Sequence, residues 1–442
     1  MPGCRDFRQS AARDHRDDGL TRRQALGVGL GAGLTVYLAN AMPLTRVFEA
    51  AEAHAQASPA APVLVSVFLP GGTDLLDSLV PLDQFGAYAD LRPALKREDA
   101  VALGSTGIGV HPSLTRGARG GIKGLFDLGK VGFLPGIDYA NPDLSHFHSR
   151  NFWQTGILTR KAGSGWLGRW LDYGGSAENP LQGVTMAPSL SPVLRSGKAP
   201  VAAVTSPADS GFAIPGLDRD KFERTMEAYT RMAAPRPSNA GPTAADAAAR
   251  FAKDVGERLG RYAPKRGRDP IAPLTAYPKG PLGTRLKVLA GMLSKPLGIR
   301  VASVEADSDF DTHDNQLSEL AAGLAEASQA LSAFQVDLEL RGLSTRVTTF
   351  VWTEFGRRPK ENDSLGSDHG AGGLAWVQGS KVRGGVLSEY PNLNKLDRRD
   401  NLQVTVDFRS VYASLLEQWM QTDAGAVIPD SGSLQRVPII WT

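Results

Sequence analysis

The sequence of 442 residues predicts an α/β protein with a mostly parallel central sheet that is covered by helices on both faces. Continuous apolar runs rich in β-branched residues indicate strands buried on both faces. These runs lie at residues 63–69, 131–136 and 201–206. Apolar residues spaced by three, four or seven positions between Leu317 and Leu338 indicate an amphipathic helix. A strand at 345–355 and a second amphipathic helix at 408–420 continue the alternation that is typical of parallel sheets.

Residues 207–283 differ from the rest of the chain because they are rich in proline, alanine and charged residues. This composition predicts a helical cap inserted on the sheet rather than a second independent domain. The remaining residues from 58 to 442 are predicted to form the main α/β domain.

The overall composition is that of an ordinary folded protein. Hydrophobic residues make up 42% of the chain, charged residues 21%, and the net charge is +3. No basic stripe with interleaved aromatic residues is present, so nothing indicates a nucleic-acid partner.

Residues 1–57 are predicted to be a twin-arginine signal peptide and linker. The pair Arg22-Arg23 precedes an uncharged, glycine-rich apolar run from Ala25 to Leu38. That run has 14 residues, fewer than the roughly 20 that span a bilayer as a helix. The sequence therefore predicts export by the twin-arginine translocase to the periplasm or the outside of the cell. The alternative is a weakly apolar N-terminal anchor.

Small-residue sites of the A-x-A type at residues 53–55 and 55–57 predict where the signal is cleaved, with residues 39–41 as an earlier alternative. The single cysteine, Cys4, lies in the segment to be removed. The mature chain would have no thiol and no stable membrane anchor.

Acids and histidines gather in four loops that each follow a predicted strand, at residues 63–69, 131–136, 299–306 and 345–355. In open parallel sheets, ligands bind beyond the carboxyl ends of the strands. The candidate residues in these loops are Asp74; Ser145, His146 and His148; Asp311 and His313; and Glu354, Arg357, Asp368 and His369.

These residue types predict a metal centre. Carboxylate oxygen and imidazole nitrogen are the ligands that zinc and similar ions take when no thiolate is available. The predicted ligands are Asp74, His146, Asp311, His313, Asp368 and His369. Asp311 and His313 share one face of an extended segment, and the glycines around Asp368 and His369 allow that loop to fold back over the sheet edge. Two ions about 4 Å apart would clamp the attacking and leaving oxygens of an ester.

Ser145 is the predicted nucleophile because a hydroxyl at a helix N-terminus lies where an anion is stabilised. A metal-bound water is the alternative. Several candidates also have ordinary structural interpretations. Asp74 could be a turn residue or a helix N-cap, Ser145 could be an N-cap, and Glu354 and Arg357 could form a surface ion pair.

The motifs GGTDLLDSLVP, SHF, FDTHDNQ, TEFGRRPKEN, GSDHG and DFRSVYASLL resemble the successive signatures of the DUF1501 family. The resemblance extends from Val63 to about Trp419 and implies an exported bacterial protein. The family is in turn similar to the alkaline phosphatase and sulfatase superfamily. That similarity implies a three-layer α/β/α sandwich, divalent metals and hydrolysis of phosphate or sulfate esters. It assigns Asp74 as the acid after the first strand, Ser145 near the nucleophile, and Asp368 with His369 as the Asp-His pair.

The sequence departs from that superfamily in two respects. The superfamily's first metal usually takes Asp-x-x-x-His, whereas Asp311 and His313 form Asp-x-His, and no histidine follows His369. Either His146 or His148 replaces the late histidine, or only one metal site remains, or none does. The cysteine-based motif of formylglycine sulfatases is absent, so that class is excluded.

Two functions remain open. The first is an exported hydrolase of small anionic phosphate or sulfate esters. It would use one or two divalent ions, with zinc favoured and manganese, calcium or iron as alternatives. Glu354 and Arg357 would contact the metal ligands and hold them in position without binding the ion themselves. The second is a non-catalytic binding protein of the cell envelope or exterior that retains the same fold.

Overall fold

The computed structural model describes residues 34–37, 61–161, 163–176, 179–207, 255–256 and 258–441. Most of the predicted cap at 207–283 lies outside the described residues. So does the predicted signal at 1–57, except for one short strand.

Fifteen strands are found in the described part of the chain. In chain order, β1 to β15 are Leu34–Tyr37, Val63–Phe68, Leu79–Pro81, Val101–Ala102, Ile108–Val110, Val131–Asp138, Gly183–Thr185, Val201–Val204, Val301–Glu305, Val347–Trp352, Gly356–Arg357, His369–Gly370, Gly373–Gln378, Gly385–Val386 and Val406–Asp407.

Eight α-helices lie entirely within the described ranges, together with several short 3-10 turns, and residues 255–256 and 258–260 are also helical. Helices α1 to α8 are Leu75–Ser78, Phe85–Leu91, Gly121–Asp127, His146–Thr155, Trp166–Gly174, Pro281–Leu293, Gln316–Leu340 and Phe408–Ser414. A π-helical turn at Leu415–Trp419 continues α8. None of the described helices is both long and apolar enough to cross a membrane.

The central sheet of the described residues has ten strands. Nine of them follow the order β1-β8-β7-β9-β2-β10-β13-β6-β14, and β15 also pairs with β6. Six of the nine strand pairings are parallel; the antiparallel ones are β1 with β8, β10 with β13, and β13 with β6. The prediction of a mostly parallel sheet is confirmed. The return strand β13 was not expected, because GLAWVQ is not followed by a recognisable helix.

Helices pack on both faces of this sheet. Alternate residues of β2 point to opposite sides, so Val65 and Leu64 belong to different hydrophobic clusters. The first cluster contains side chains from α3, α6 and α7, and the second contains side chains from α4, α5 and α8. This arrangement confirms the predicted α/β/α sandwich.

Helix α7 follows the predicted apolar stripe with one exception. The predicted face from Leu320 to Leu338 is buried in the first cluster, but Leu317 is 42% exposed. Leu317 is the second residue of the helix, beside the loop at the sheet edge, so no layer covers it.

Strand β1 is the one described element inside the predicted signal. It pairs antiparallel with β8 at the end of the sheet, from Leu34 opposite Val204 to Tyr37 opposite Val201. If the signal is cleaved as predicted, β8 becomes the edge strand of the mature protein.

Candidate metal centre

Four loops meet at one edge of the sheet. Strands β2, β9 and β10 are parallel neighbours, and their last residues Phe68, Glu305 and Trp352 are in register. Strand β6 is antiparallel to β13, which is antiparallel to β10, so β6 ends at the same edge. The loops that follow these strands carry the candidate residues toward one place.

Three histidines surround one carboxylate at this edge. His369 Nε2 and His313 Nε2 lie 3.0 and 3.1 Å from Asp311 Oδ1, and His146 Nε2 lies 3.4 Å from Asp311 Oδ2. The Nε2 atoms of His313 and His369 are 3.0 Å apart. In His146, Asp311 and His369, one potential ligand atom from each residue lies within 4.8 Å of the others. We call His146, Asp311, His313 and His369 together the histidine cluster.

The opposite nitrogen of each ring is held by an acceptor. His146 Nδ1 lies 2.8 Å from Glu354 Oε1, and His313 Nδ1 lies 3.0 Å from Asp368 Oδ1. A carboxylate on Nδ1 favours the tautomer whose Nε2 carries the lone pair. Metal-binding histidines almost always have such a partner, which fixes the ring and strengthens the ligand.

The third ring gives the firmest evidence about its tautomer. His369 Nδ1 lies 2.9 Å from the carbonyl oxygen of Leu144. A carbonyl oxygen only accepts hydrogen bonds, so Nδ1 carries the hydrogen. When the ring is neutral, its Nε2 presents a lone pair toward Asp311.

Glu354 is buried and joins the first loop to the cluster. Its carboxylate accepts hydrogen bonds from the backbone N–H groups of Gly71, at 3.0 and 3.2 Å, and of Gly72, at 3.3 Å. Gly71 has a φ of +108°, and a Cβ there would lie 2.4 Å from the backbone nitrogen of Asp311. Glycine is required at this position because the two loops approach so closely.

Arg357 is buried on the other side of Asp311. Its guanidinium donates to Asp311 Oδ1 at 2.6 Å and to the carbonyl oxygens of Gly72 and Ser367, both at 2.8 Å. It also donates to the carbonyl of Gly71. The guanidinium therefore ties together three of the loops that form the site.

The acids of the site favour positive charge on His146 and His313, whereas burial lowers the pKa of His369. Burial alone would raise the pKa of Asp311, but its contacts with the three histidines and the charge of Arg357 hold that pKa far below its usual range. Burial opposes charging of His146, yet Asp311 and Glu354 raise its pKa to about 9. A site that stabilises a proton in this way also attracts a metal cation, which competes with protons for the same nitrogens.

Asp74 is a correction to the predicted ligand set, since it lies apart from the histidine cluster. It caps α1 by accepting from the backbone N–H of Asp77, and its other oxygen pairs with Arg92 at 2.7 Å. Gln316 and Ser367 also donate to that oxygen, each at 3.1 Å. The carboxylate is completely buried with every side occupied, and a buried acid is stabilised by such partners. Its interpretation as a helix N-cap is the one that the structure supports.

Asp368 is not a member of the histidine cluster. Its side chain instead orients the ring of His313, which is a member. Its Oδ1 contacts the Nδ1 of His313, and the side-chain amide of Asn362 donates to the same oxygen at 3.3 Å. Asn362 also donates to the carbonyl oxygen of His313 at 2.9 Å. Asn362 was missed by sequence reasoning, because an asparagine in a polar loop is usually a turn residue.

Ser145 and His148 flank the cluster on α4. Ser145 occupies the N-cap position, but its side chain makes no capping hydrogen bond. Its main chain lies between Leu144, whose carbonyl holds His369, and His146. His148 points elsewhere: its Nδ1 contacts Asp143 at 2.9 Å. The structure therefore brings His146, and not His148, to the cluster.

A cavity of about 250 Å³ opens beside the cluster, against Gly71, His146 and Asp311. Arg150, one helical turn after His146, lines its other wall and pairs with Glu305 at 2.6 Å. Sequence reasoning also missed Arg150, although its spacing from His146 places both residues on one helix face.

A model of the DUF1501 family, described as a protein of unknown function, matches residues 137–430. The chain therefore belongs to the DUF1501 family. The matched residues include all four members of the histidine cluster, whereas the GGTDLLDSLVP motif precedes them. No curated protein matches the chain.

Among the solved structures that match is phosphonate monoester hydrolase SpPMH from Silicibacter pomeroyi. It is 12% identical, and the match covers 85% of this chain and 75% of the hydrolase with a TM-score of 0.31. The strand pairings, and not this distant likeness, establish the fold class described above.

Proposed function

We propose that the protein is an exported, metal-dependent hydrolase of phosphate or sulfate esters. One observation carries the proposal: three imidazole Nε2 atoms converge on Asp311 while each Nδ1 is held by an acceptor. Three lone pairs directed at a carboxylate repel it unless a cation lies among them. A proton or a metal ion supplies that charge, and this set of nitrogen and oxygen ligands suits zinc.

We propose that His146, Asp311 and His369 hold the ion, with His313 as a fourth ligand that is more exposed. A catalytic zinc site has three protein ligands and an open position, so His313 would have to move aside for substrate. When bound, the ion would act as a Lewis acid for the ester oxygen and would lower the pKa of an attacking water. Ser145, whose main chain is held by its neighbours' contacts with the cluster, is the alternative nucleophile.

We propose one ion rather than two. Arg357 is 1% exposed and donates to Asp311 Oδ1 at 2.6 Å, so the positive charge of its guanidinium already lies against this carboxylate. A buried guanidinium and a second ion on one carboxylate oxygen would repel each other. The fixed charge of Arg357 would take the place of that ion, and His146, Asp311 and His369 would hold the single ion.

Metal content and ester hydrolysis test the function together. Purified protein reconstituted with zinc is expected to bind about one ion per chain and to hydrolyse 4-nitrophenyl esters. His369→Ala and Asp311→Asn should lose both the ion and the activity while circular dichroism shows a folded chain. His148→Ala is the matched control, because it removes an imidazole from the same helix as His146 without touching the cluster.

Two results would contradict this proposal in different ways. A reconstituted protein without bound metal would exclude the metal centre. A metal-loaded protein that hydrolyses no phosphate or sulfate ester would instead favour the second function, a non-catalytic binding protein of the envelope or exterior.

A further inference from the structure

The cavity beside the histidine cluster has an unusual charge distribution for a site that receives an anion. Its lining includes one arginine, Arg150, and the carboxylates of Glu305, Asp307, Asp309 and Asp311. Anionic substrates usually meet clusters of basic groups, because each negative charge needs a counter-charge when water is removed.

Three of these acids are already neutralised by arginines. Arg150 pairs with Glu305, Arg285 pairs with Asp307, and Arg357 pairs with Asp311, each at 2.6 Å. Each of these three arginines is therefore already paired with a carboxylate.

Asp309 is the exception among the described residues, since none of their arginines or lysines pairs with it. Its Oδ1 accepts only from the backbone N–H of Asp311, at 3.1 Å. Buried Glu354 adds a second carboxylate next to the site, 2.8 Å from His146 Nδ1 on the side of the ring that faces away from Asp311. The single doubly charged ion proposed above would balance the negative charges of Asp309 and Glu354.

Arg150 is placed to receive one anionic group. Its guanidinium lies over the ring of Phe68, 4.6 Å from the ring centre, and its side chain is 30% exposed. Stacking on an aromatic ring leaves the edge of the guanidinium available for a two-pronged hydrogen bond. The partly exposed pair with Glu305 can open at low cost, because exposed ion pairs contribute little.

We propose that the substrates are singly charged esters, either sulfate monoesters or phosphate diesters, and that doubly charged phosphate monoesters are disfavoured. The proposal rests on the proposed hydrolase function and narrows its substrate class. The three arginines and one doubly charged ion together balance the five carboxylates of the site. A singly charged ester therefore adds one uncompensated negative charge, and a doubly charged ester adds two.

The test is a binding measurement with two unhydrolysable anions of the same shape. Benzenesulfonate carries one negative charge, and phenylphosphonate carries two at about pH 8.5, above the second pKa of such groups. Calorimetry with the zinc-loaded protein at low ionic strength should show benzenesulfonate binding tighter, by on the order of tenfold. Added salt should reduce the difference because it screens the carboxylates.

Variants assign the preference to the cavity acids. Asp309→Asn and Glu305→Gln should each strengthen phenylphosphonate binding. Each should therefore reduce severalfold the ratio of benzenesulfonate affinity to phenylphosphonate affinity. Glu417→Gln, at an ion pair with Arg436 remote in sequence from the site, is the matched control and should leave the ratio unchanged. Tighter binding of phenylphosphonate by the unaltered protein, or no binding of either anion, would overturn the proposal.

Hydrolysis distinguishes the two singly charged classes and separates this inference from the proposed function. Initial rates are compared for 4-nitrophenyl sulfate, bis(4-nitrophenyl) phosphate and 4-nitrophenyl phosphate. Turnover of the sulfate or the diester ahead of the monoester supports the inference and identifies the class. Turnover of the monoester ahead of both leaves the hydrolase function intact but contradicts the inference. Turnover of none contradicts the hydrolase function, and the binding ratio still decides the charge preference.

Discussion

Single side chains at the site divide into those that face the cluster and those that hold them. His146 and His369 point their Nε2 atoms at Asp311, while Glu354 and the Leu144 carbonyl hold the far sides of the rings. The holding groups set both the orientation of a ring and its tautomer. Replacing a group that holds the far side of a ring should therefore weaken metal binding, although every metal ligand remains in place.

Glu354→Gln tests this expectation. The amide keeps the size of the side chain but removes the charge that His146 Nδ1 contacts, so zinc affinity should fall by about 10- to 100-fold. Competition with a chromophoric chelator measures the affinity. Glu417→Gln serves again as control, and an unchanged affinity in Glu354→Gln would show that the carboxylate does not support the site.

His111 lies outside the four candidate loops, and its role is structural. It is 2% exposed, and its Nδ1 accepts from the backbone N–H of Ser113 at 3.0 Å. Burial, with a contribution from Arg97, lowers its pKa from 6.5 to about 4. The folded protein thus holds the ring neutral, in the state that can accept this hydrogen bond.

A depressed histidine pKa makes stability depend on pH in a defined direction. Above pH 6.5 the ring is neutral in both states, and the stability it contributes is fully present. As the pH falls from 6.5 toward about 4 the unfolded chain binds the extra proton, so up to about 3 kcal/mol is lost. His111→Asn keeps an acceptor for the backbone N–H of Ser113. It should reduce the loss of stability between pH 6.5 and about 4. Denaturant unfolding at several pH values compares the slopes; equal slopes would contradict the assignment.

At the scale of elements, the site depends on loops that approach one another more closely than side chains would allow. The return strand β13 runs antiparallel to β10, so the 353–372 connection turns back over the same sheet edge. The buried pair of Asp74 and Arg92 anchors this connection, because Ser367 and Gln316 donate to Asp74. Helix α7 and the glycine-rich loop are thereby fixed beside each other.

Gly71→Ala should disturb two of these loops at once. A Cβ would lie 2.4 Å from the Asp311 nitrogen and 2.7 Å from the Phe310 carbonyl carbon, so the 309–311 turn must shift. We expect a loss of at least about 2 kcal/mol in the free energy of unfolding together with weaker zinc binding.

Gly104→Ala is the matched control for that change. Gly104 also has a positive φ, +55°, but a Cβ there meets nothing within 4 Å. It should cost only the backbone strain, about 1 kcal/mol, and leave zinc affinity unchanged. Equal effects of the two variants on zinc affinity would show that the close approach at Gly71 does not position Asp311.

At the scale of the whole molecule, a sheet covered on both faces leaves its carboxyl edge as the place for chemistry. Strand pairing brings Asp311 within contact of His146 and His369, although these residues are far apart in the chain. The described part of the N-terminal segment is β1, which lies at the opposite end of the sheet order from β13 and β6. Removal of the signal should therefore not affect the site.

Export is predicted to depend on Arg22 and Arg23. Changing both to lysine should retain the precursor in the cytoplasm, because the translocase reads the arginine pair. Cell fractionation locates the protein, and mass spectrometry should find the mature N-terminus near Gln56 or Ser58. Unchanged appearance of mature protein outside the cytoplasm would indicate a different route.

The sequence by itself determined the strands β2, β6, β8, β9 and β10, the amphipathic helices and the loops that carry the histidines. Buried strands show as continuous apolar runs and helices as a 3.6-residue period, so both are readable along the chain. The candidates His146, Asp311, His313 and His369 followed from one rule about the edge of a parallel sheet.

Tertiary structure alone decided which of the candidates meet. Asp74 and Asp311 look alike in sequence, since each acid follows a buried strand, but Arg92 folds against the first and three imidazoles against the second. The carbonyl of Leu144 carries no sequence signal, because every residue has one. Periodicity describes the faces of each element, whereas the partner of a polar group depends on contacts between residues far apart in the chain.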